Sequence, residues 1–194
     1  NGYNEDSSKI IPLSEVKLNT NYAIVITTNA GLWRYKIGDT IRFTSLSPYR
    51  IQVTGRTKHF INVFGEELII DNAEKALEKV CSQTKSNVFN YTAGPIFMEK
   101  NKQGAHEWII EFDREPEDLS LFCRLFDKAL QNENSDYEAK RYNNMTLKPL
   151  RLHKARKGLF YKWLSQKGKL GGQHKVPRLS NSREILDELL KMNY

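Results

Sequence analysis

The side chains best suited to handle ribose and phosphate fall in three short segments. The first is Gly31-Leu32-Trp33-Arg34-Tyr35-Lys36-Ile37-Gly38-Asp39, an aromatic strand running into a Gly-Asp corner. An ionised Asp accepts hydrogen bonds at two oxygens and donates none, which suits the paired hydroxyls of a ribose. Gly38 lets the backbone turn, or approach a ligand, where a Cβ would clash. The second segment, Gly55-Arg56-Thr57-Lys58, ends another strand. The planar fork of Arg56 fits ribose or phosphate oxygens there. The third is Gly171-Gly172-Gln173-His174-Lys175-Val176-Pro177-Arg178. Two glycines before Lys175 and a proline after it make a flexible approach and a rigid exit, and a lysine ammonium acts on phosphate as a point charge. Each residue also has a plainer reading. Asp39 would be an Asx-type residue closing the corner. Arg56 and Lys58 would be a solvated strand end, and Lys175 an exposed loop lysine.

The elements that must carry these residues change character along the chain. Tyr22–Thr27, Ile41–Leu46 and Arg50–Thr54 are β-branched, aromatic or alternating, with turn signals at Asn29-Ala30-Gly31 and Ser47-Pro48. They predict a small barrel or meander, too small to be comfortable alone. After Arg56 the pattern becomes mixed. A helix opens near Ile70, with Asp71 as its expected N-cap and an apolar stripe of Ala73, Ala76, Leu77 and Val80. Strands are expected at Asn87–Met98 and His106–Phe112 around a polar loop, Asn101–Gly104. A helix follows from about Asp118 to Gln131, then a short one near Tyr137–Tyr142, a strand at Pro149–His153 and a helix at Gly158–Gln166. A final helix carries Ile185, Leu186, Leu189 and Leu190, with its cap expected in Asn181-Ser182-Arg183-Glu184. The expected class is α+β: a small β-barrel or meander segment followed by a C-terminal domain with a mixed sheet covered by helices.

At the three segments the chain resembles the GH3 acyl-acid amido synthetases, a branch of the adenylate-forming, luciferase-like superfamily. The superfamily's Tyr-Arg-x-Gly-Asp is Tyr35-Lys36-Ile37-Gly38-Asp39 here; its Gly-Arg-x-Asp/Lys is Gly55-Arg56-Thr57-Lys58, followed by Ile61 and Gly65. Gln173-His174-Lys175-Val176-Pro177-Arg178 is similar to the GH3 signature Gln-x-Lys-x-Pro-Arg. The superfamily's fuller lysine motif, Pro-Lys-x-x-x-Gly-Lys, is absent. The resemblance runs from about residue 10 to the end. It implies ATP as the nucleotide, with Asp39, Arg56 and Tyr35 binding it, Lys58 as the hinge and Lys175 as the adenylation lysine. It implies residues 1–55 as the end of a large N-terminal domain, 56–60 as the hinge and 61–194 as a mobile α+β domain. It also implies a carboxylic acid and an amine or amino acid as substrates. The family's Ser/Thr/Gly-rich phosphate loop and its Tyr-centred segment for ATP and magnesium are not in this chain. ATP and Mg would then be bound mainly by an N-terminal domain partnering this one, and the chain alone would be inactive or nearly so.

Composition bounds the rest. The 194 residues are 39% hydrophobic and 27% charged, with net charge +7. That balance favours an anionic ligand but says nothing of fold. Cys81 and Cys123 have no paired spacing and read as buried reduced thiols of a cytoplasmic protein. His59, His106, His153 and His174 show no metal-ligand spacing. Glu66 and Glu67 are adjacent and would face opposite sides of a strand, a poor acid/base pair. No apolar run reaches the roughly eighteen residues of a membrane span, and Asn1–Lys9 is polar with no initiator Met. The opening reads as the middle of a longer polypeptide, or a processed or cloned start. The other class of function considered is a stand-alone regulatory or nucleic-acid-binding module, suggested by Arg151–Lys169, where Phe160, Tyr161 and Trp163 interleave with lysines and arginines. The plainer reading of that stretch is a helix with its rings packed on the sheet, and nucleic acid is not the expected partner.

Overall fold

The computed structural model describes residues 10–56, 60–99, 103–144, 146–169 and 175–194. A short 3-10 turn at Leu13–Glu15 leads into an antiparallel meander of β1 (Asn21–Ile26), β2 (Tyr35–Leu46) and β3 (Tyr49–Arg56), with β2 in the centre. Its core is small: Ile41 and Phe43 are buried, with Tyr22 and Tyr49 edge-on to the Phe43 ring. The strands do not close into a barrel. A two-residue pair, β4 (Phe60–Ile61) and β5 (Leu68–Ile69), then leads into α1 (Ile70–Thr84).

The main sheet has β7 (Ala105–Arg114) between β6 (Asn87–Ile96) and β8 (Arg151–Lys154). β6 runs antiparallel to β7, with Ala93 opposite Trp108, and β8 runs parallel, with Leu152 opposite Trp108. A parallel neighbour needs a long crossover, which α2 (Leu119–Glu133) and α3 (Ser135–Arg141) supply. Residues 105–112 of β7 are all buried because helices cover both faces. Trp108, Ile110 and Phe112 pack with α1 and α2, while Ile109 packs with α4 (Leu159–Gln166) and α5 (Glu184–Asn193). The expected α+β class with a mixed sheet under helices is what the chain adopts.

Three local expectations are corrected. The N-cap of α1 is Ile69, whose N–H donates to Asn72 Oδ1 at 3.2 Å; Asp71 lies in the first turn and pairs with Lys75. No side chain caps α5: Asn181 Oδ1 instead accepts from the Asn62 N–H at 2.8 Å. Glu66 and Glu67 lie in the loop between β4 and β5, where strand alternation does not apply.

Candidate functional site

The Gly38-Asp39 corner is not a turn. β2 continues through it to Leu46, but the β1 register breaks here, where one residue between Ala23 and Val25 faces three between Lys36 and Thr40, and Gly38 takes φ +88° inside the strand, a conformation that L side chains rarely adopt. Asp39 is half-buried and stands directly opposite Arg56 in the β2–β3 register. Thus two residues far apart in sequence meet at the end of the meander. Tyr35 lies four positions earlier on the same strand, opposite Ile26, half-exposed.

Just beyond this pair, buried hydroxyls lock the three strands together. Thr54 Oγ1 donates to Asn21 Oδ1 at 2.5 Å, so the 3.0 Å bond between Thr40 and Thr54 must be donated by Thr40, since a hydroxyl carries one proton. Asn21, Thr40 and Thr54 belong to β1, β2 and β3 respectively, so the backbone carrying Asp39 and Arg56 is fixed from the side. A Cβ on Gly55 would lie 3.5 Å from Thr40 Oγ1 and 3.8 Å from the Ile70 nitrogen. The end of β3 therefore abuts the start of α1. Lys58 lies outside the described residues.

Lys175 is exposed and belongs to a separate element. Gly172, Gln173 and His174 of its motif lie outside the described residues. From Val176 onward the segment is pinned along the edge of β6. The Thr92 hydroxyl donates to the Pro177 carbonyl at 2.6 Å, the Ala93 N–H to the Arg178 carbonyl at 2.9 Å, and the Ser180 N–H to the Ala93 carbonyl at 3.1 Å. Val176 and Leu179 are buried beneath it. The Arg178 guanidinium lies 5.0 Å from the Tyr91 ring centroid and pairs with Glu74 of α1, and the Tyr91 hydroxyl donates to the same Glu74 oxygen at 2.8 Å. Burial raises the pKa of Tyr91, so the phenol stays protonated and remains a donor. A cavity of about 300 Å³ adjoins this cluster, lined by Leu77, Cys81, Val88 and Phe89 among others. The structure thus brings Asp39 and Arg56 together, places Tyr35 on the same strand and carries Lys175 on the β6 edge.

Sequence reasoning missed the ionisable groups of the main sheet. Glu66 and His106 are both fully buried and paired at 2.8 Å through Oε1 and Nε2, with the Tyr137 ring stacked on the imidazole at 5.0 Å. Burial pushes the Glu66 carboxyl up, but His106 and the Phe64 N–H outweigh it and hold the group below the ordinary carboxylate range. Asp127 accepts from the Tyr137 hydroxyl at 2.7 Å, from Arg141 at 2.7 Å and from the Leu150 N–H at 3.2 Å. These bonds overcome its burial and lower its pKa. Glu107 is held low in the same way, against burial, by His153 at 2.8 Å and Arg183 at 2.6 Å. Glu111 accepts from the Gly158 N–H at 2.6 Å, at the N-terminus of α4. A period-two reading of His106–Phe112 would have put Glu107 and Glu111 on one face with Ile109. Nothing in the sequence pairs Glu66 with His106. The carboxylates Glu66, Glu107, Glu111 and Asp127 all serve internal bonding. Among the described residues no group of three or more His, Cys, Asp or Glu stands together to hold a metal ion. Cys81 and Cys123 are half-buried and free. No helix among the described residues is long and apolar enough to cross a membrane.

The family model of the GH3 family C-terminal domain matches residues 71–184, and that of the GH3 family central domain matches residues 1–56. The chain belongs to the GH3 family. It is 29% identical over 194 residues to the Arabidopsis thaliana indole-3-acetic acid-amido synthetase GH3.10, covering 93% of this chain and 32% of that protein. It is 24% identical over 206 residues to the 4-substituted benzoates-glutamate ligase GH3.12 of Arabidopsis thaliana, covering 95% and 35%. It is 29% identical over 205 residues to the jasmonoyl--L-amino acid synthetase GH3.5 of Oryza sativa subsp. japonica, covering 95% and 33%. A solved structure, AtGH3.15 acyl acid amido synthetase in complex with 2,4-DB, shares the fold with a TM-score of 0.69 at 21% identity, covering 94% of this chain and 34% of that one. The chain therefore spans about a third of the length of these relatives.

Proposed function

We propose that this chain forms the C-terminal part of an ATP-dependent acyl-acid amido synthetase, which adenylates a carboxylic acid and passes the acyl group to an amine or amino acid. The observation that carries this reading is the pairing of Asp39 with Arg56 across β2 and β3. It sits at the end of the segment that matches the GH3 central domain, just before the segment that matches the C-terminal domain. Asp39 would accept from the ribose hydroxyls, Arg56 would meet ribose or phosphate oxygens, and Tyr35 would flank the nucleotide. Lys58 would be the pivot between residues 1–55 and 61–194, which needs only a residue able to absorb a backbone change. Lys175, exposed on its strap, would enter the site to oppose negative charge gathering on the α-phosphate and pyrophosphate. The donor set fits a nucleotide: one half-buried carboxylate and cations on separate elements. Magnesium and the acid pocket would belong to the upstream part of the relatives' polypeptide, and a cytoplasmic location is part of the proposal. The relatives named above act on indole-3-acetic acid, substituted benzoates and jasmonoyl groups, and an acid and an amino acid are proposed for this chain on that ground. The nucleic-acid reading is less favoured, because Phe160 and Trp163 are buried in the core under α4 and α5, leaving Tyr161 exposed.

The test is pyrophosphate exchange in a polypeptide joining this chain to the upstream portion its relatives possess. Lys175→Ala is expected to lower exchange about tenfold or more, the scale of one lost contact to a developing anion. Asp39→Ala is expected to raise the KM for ATP. Exchange and KM unchanged in both variants would remove these residues from the site.

A further inference from the structure

The segment carrying Lys175 has an anchor that the proposed chemistry does not itself require. Its backbone is held to β6 by the two bonds on Ala93 and the one from Thr92, with Leu179 buried beneath. These bonds end at Pro177. Lys175 lies two residues further out, beyond the last of them, so their hold on it is indirect. Val176, the neighbour of Lys175, is buried in the core formed with α4 and α5, and Arg178 is the strap's polar link to α1. Its guanidinium lies over the face of Tyr91 and pairs with Glu74 on α1, and Tyr91 donates to that carboxylate as well. Three features make this a clamp and not a stray surface ion pair. The Tyr91 body is buried, so the ring cannot move away. Glu74 is oriented by a second donor, which removes freedom a surface carboxylate normally keeps. And the Arg178 guanidinium lies over the ring while pairing with the carboxylate, and its planar fork can serve both at once where a lysine ammonium is a point charge.

We propose that Glu74, Tyr91 and Arg178 form a positioning clamp that fixes the strap on the β6 edge and so sets where Lys175 stands. This rests on the reading of Lys175 as the adenylation lysine. Arg178 is a positioning residue that acts through Lys175 and touches no reactant. The clamp belongs wholly to the C-terminal layer, being built from α1, β6 and the strap. It would therefore travel with that layer in any rotation about residues 56–60 and keep Lys175 in constant relation to the main sheet.

The test has two independent readouts. The first is amide hydrogen exchange on the 194-residue chain with Arg178→Ala, Arg178→Lys and Glu74→Gln. The N–H groups of Ala93 and Ser180, which make the strap bonds, are expected to exchange about tenfold faster or more in Arg178→Ala and Glu74→Gln. Arg178→Lys should fall between, having kept the charge and lost the planar fork. The amides of Ile109 and Ile110 in β7 should not change. Equal acceleration in β7 would mean general destabilisation and would overturn the clamp, as would unchanged exchange at Ala93 and Ser180. The second readout is pyrophosphate exchange in the longer polypeptide. Arg178→Ala is expected to lower kcat severalfold with little change in the KM for ATP, and Arg178→Lys to recover part of the loss. Fast strap exchange with normal kcat, in a protein where Lys175→Ala is impaired, would overturn the positioning role. Normal activity of Lys175→Ala would instead remove the role of the lysine, a result read from a different variant.

Discussion

Glu66→Ala tests how the loop following the strand β4 is held. Glu66 has no solvent exposure and spends both oxygens: Oε1 meets His106 Nε2 at 2.8 Å, and Oε2 accepts from the Phe64 N–H at 2.7 Å. His106 Nδ1 has no hydrogen-bond partner. Truncation at 66 would leave both ring nitrogens unpaired in the core beside Tyr137, and would orphan the Phe64 amide. Breaking a buried pair by removing one partner costs about 3–5 kcal/mol, and that is the expected loss. Domains of this size hold only about 5–15 kcal/mol in all, so the variant should lose a large part of its stability. Glu66→Gln keeps the shape and one acceptor. Its amide group must face either the Phe64 N–H, donor against donor, or His106 Nε2. The second choice moves the imidazole proton to Nδ1, where nothing accepts it. The expected cost is intermediate, about 1–3 kcal/mol, the scale of one unsatisfied buried group. Urea unfolding of the 194-residue chain, followed by circular dichroism at constant slope, measures both. A loss below about 1 kcal/mol for the alanine variant, or a glutamine variant as damaging as the alanine, would refute the reasoning.

The pH profile should follow the same carboxylates. Glu66, Glu107 and Asp127 have folded pKa values below their ordinary ones. Their contribution is therefore fully present above the unfolded values near pH 4 and disappears as pH falls through the lower folded values. Stability measured by thermal melts should be flat from about pH 7 to 5 and fall below about pH 4; a chain as stable at pH 3 as at pH 6 would contradict this. Gly104→Ala should cost about 1–3 kcal/mol by overpacking, because its Cβ would lie 2.4 Å from Phe64 Cζ. Adding Phe64→Leu should recover part of that loss, and simple additivity in the double variant would show that the ring is not the obstacle. Glu111→Ala should cost about 2 kcal/mol, since the carboxylate accepts from the Gly158 N–H at the start of α4 and favours the helix dipole there. A loss within about 0.5 kcal/mol would place Glu111 among inconsequential surface groups.

What could be read from the sequence divides by the range of the interaction. The stripe Ala73, Ala76, Leu77, Val80 became the buried face of α1 unchanged, because a 3.6-residue period needs only local information. The two strands of the β6–β7 hairpin were legible because they too need only local information, the β-rich runs on either side of a polar loop. Caps were read less well. Asp71 has the right chemistry for an N-cap, yet the cap falls two residues earlier, at Ile69, and Asn72 supplies the reciprocal bond to it. Asn181 likewise looked like a cap but is engaged by Asn62, a residue 119 positions away. Asp127 shows the limit most clearly. It occupies the apolar face of α2 because Tyr137, Arg141 and the Leu150 amide meet it there, and a helical wheel counts it only as an error in the stripe.

The candidate site adds a second kind of limit, one of register. From Ile41 opposite Val53, a regular antiparallel ladder would place Thr40 opposite Thr54 and Asp39 opposite Gly55. The observed pairs are Thr40 with Gly55 and Asp39 with Arg56. One extra residue in β3, at Thr54, makes the difference. A bulge of one residue leaves two residues on one strand facing one on the other and shifts everything beyond it. Here it exchanges a glycine for an arginine as the partner of the carboxylate. The bulged Thr54 is also the residue whose hydroxyl bridges Asn21 and Thr40, so the irregularity is held in place by side-chain bonds from both other strands of the meander. The residues Asp39 and Arg56 were legible as chemistry, each by its type and its neighbours. Their juxtaposition was not, because it depends on where a single residue is left out of the ladder, and that is decided by Asn21, Thr40 and Thr54 acting together.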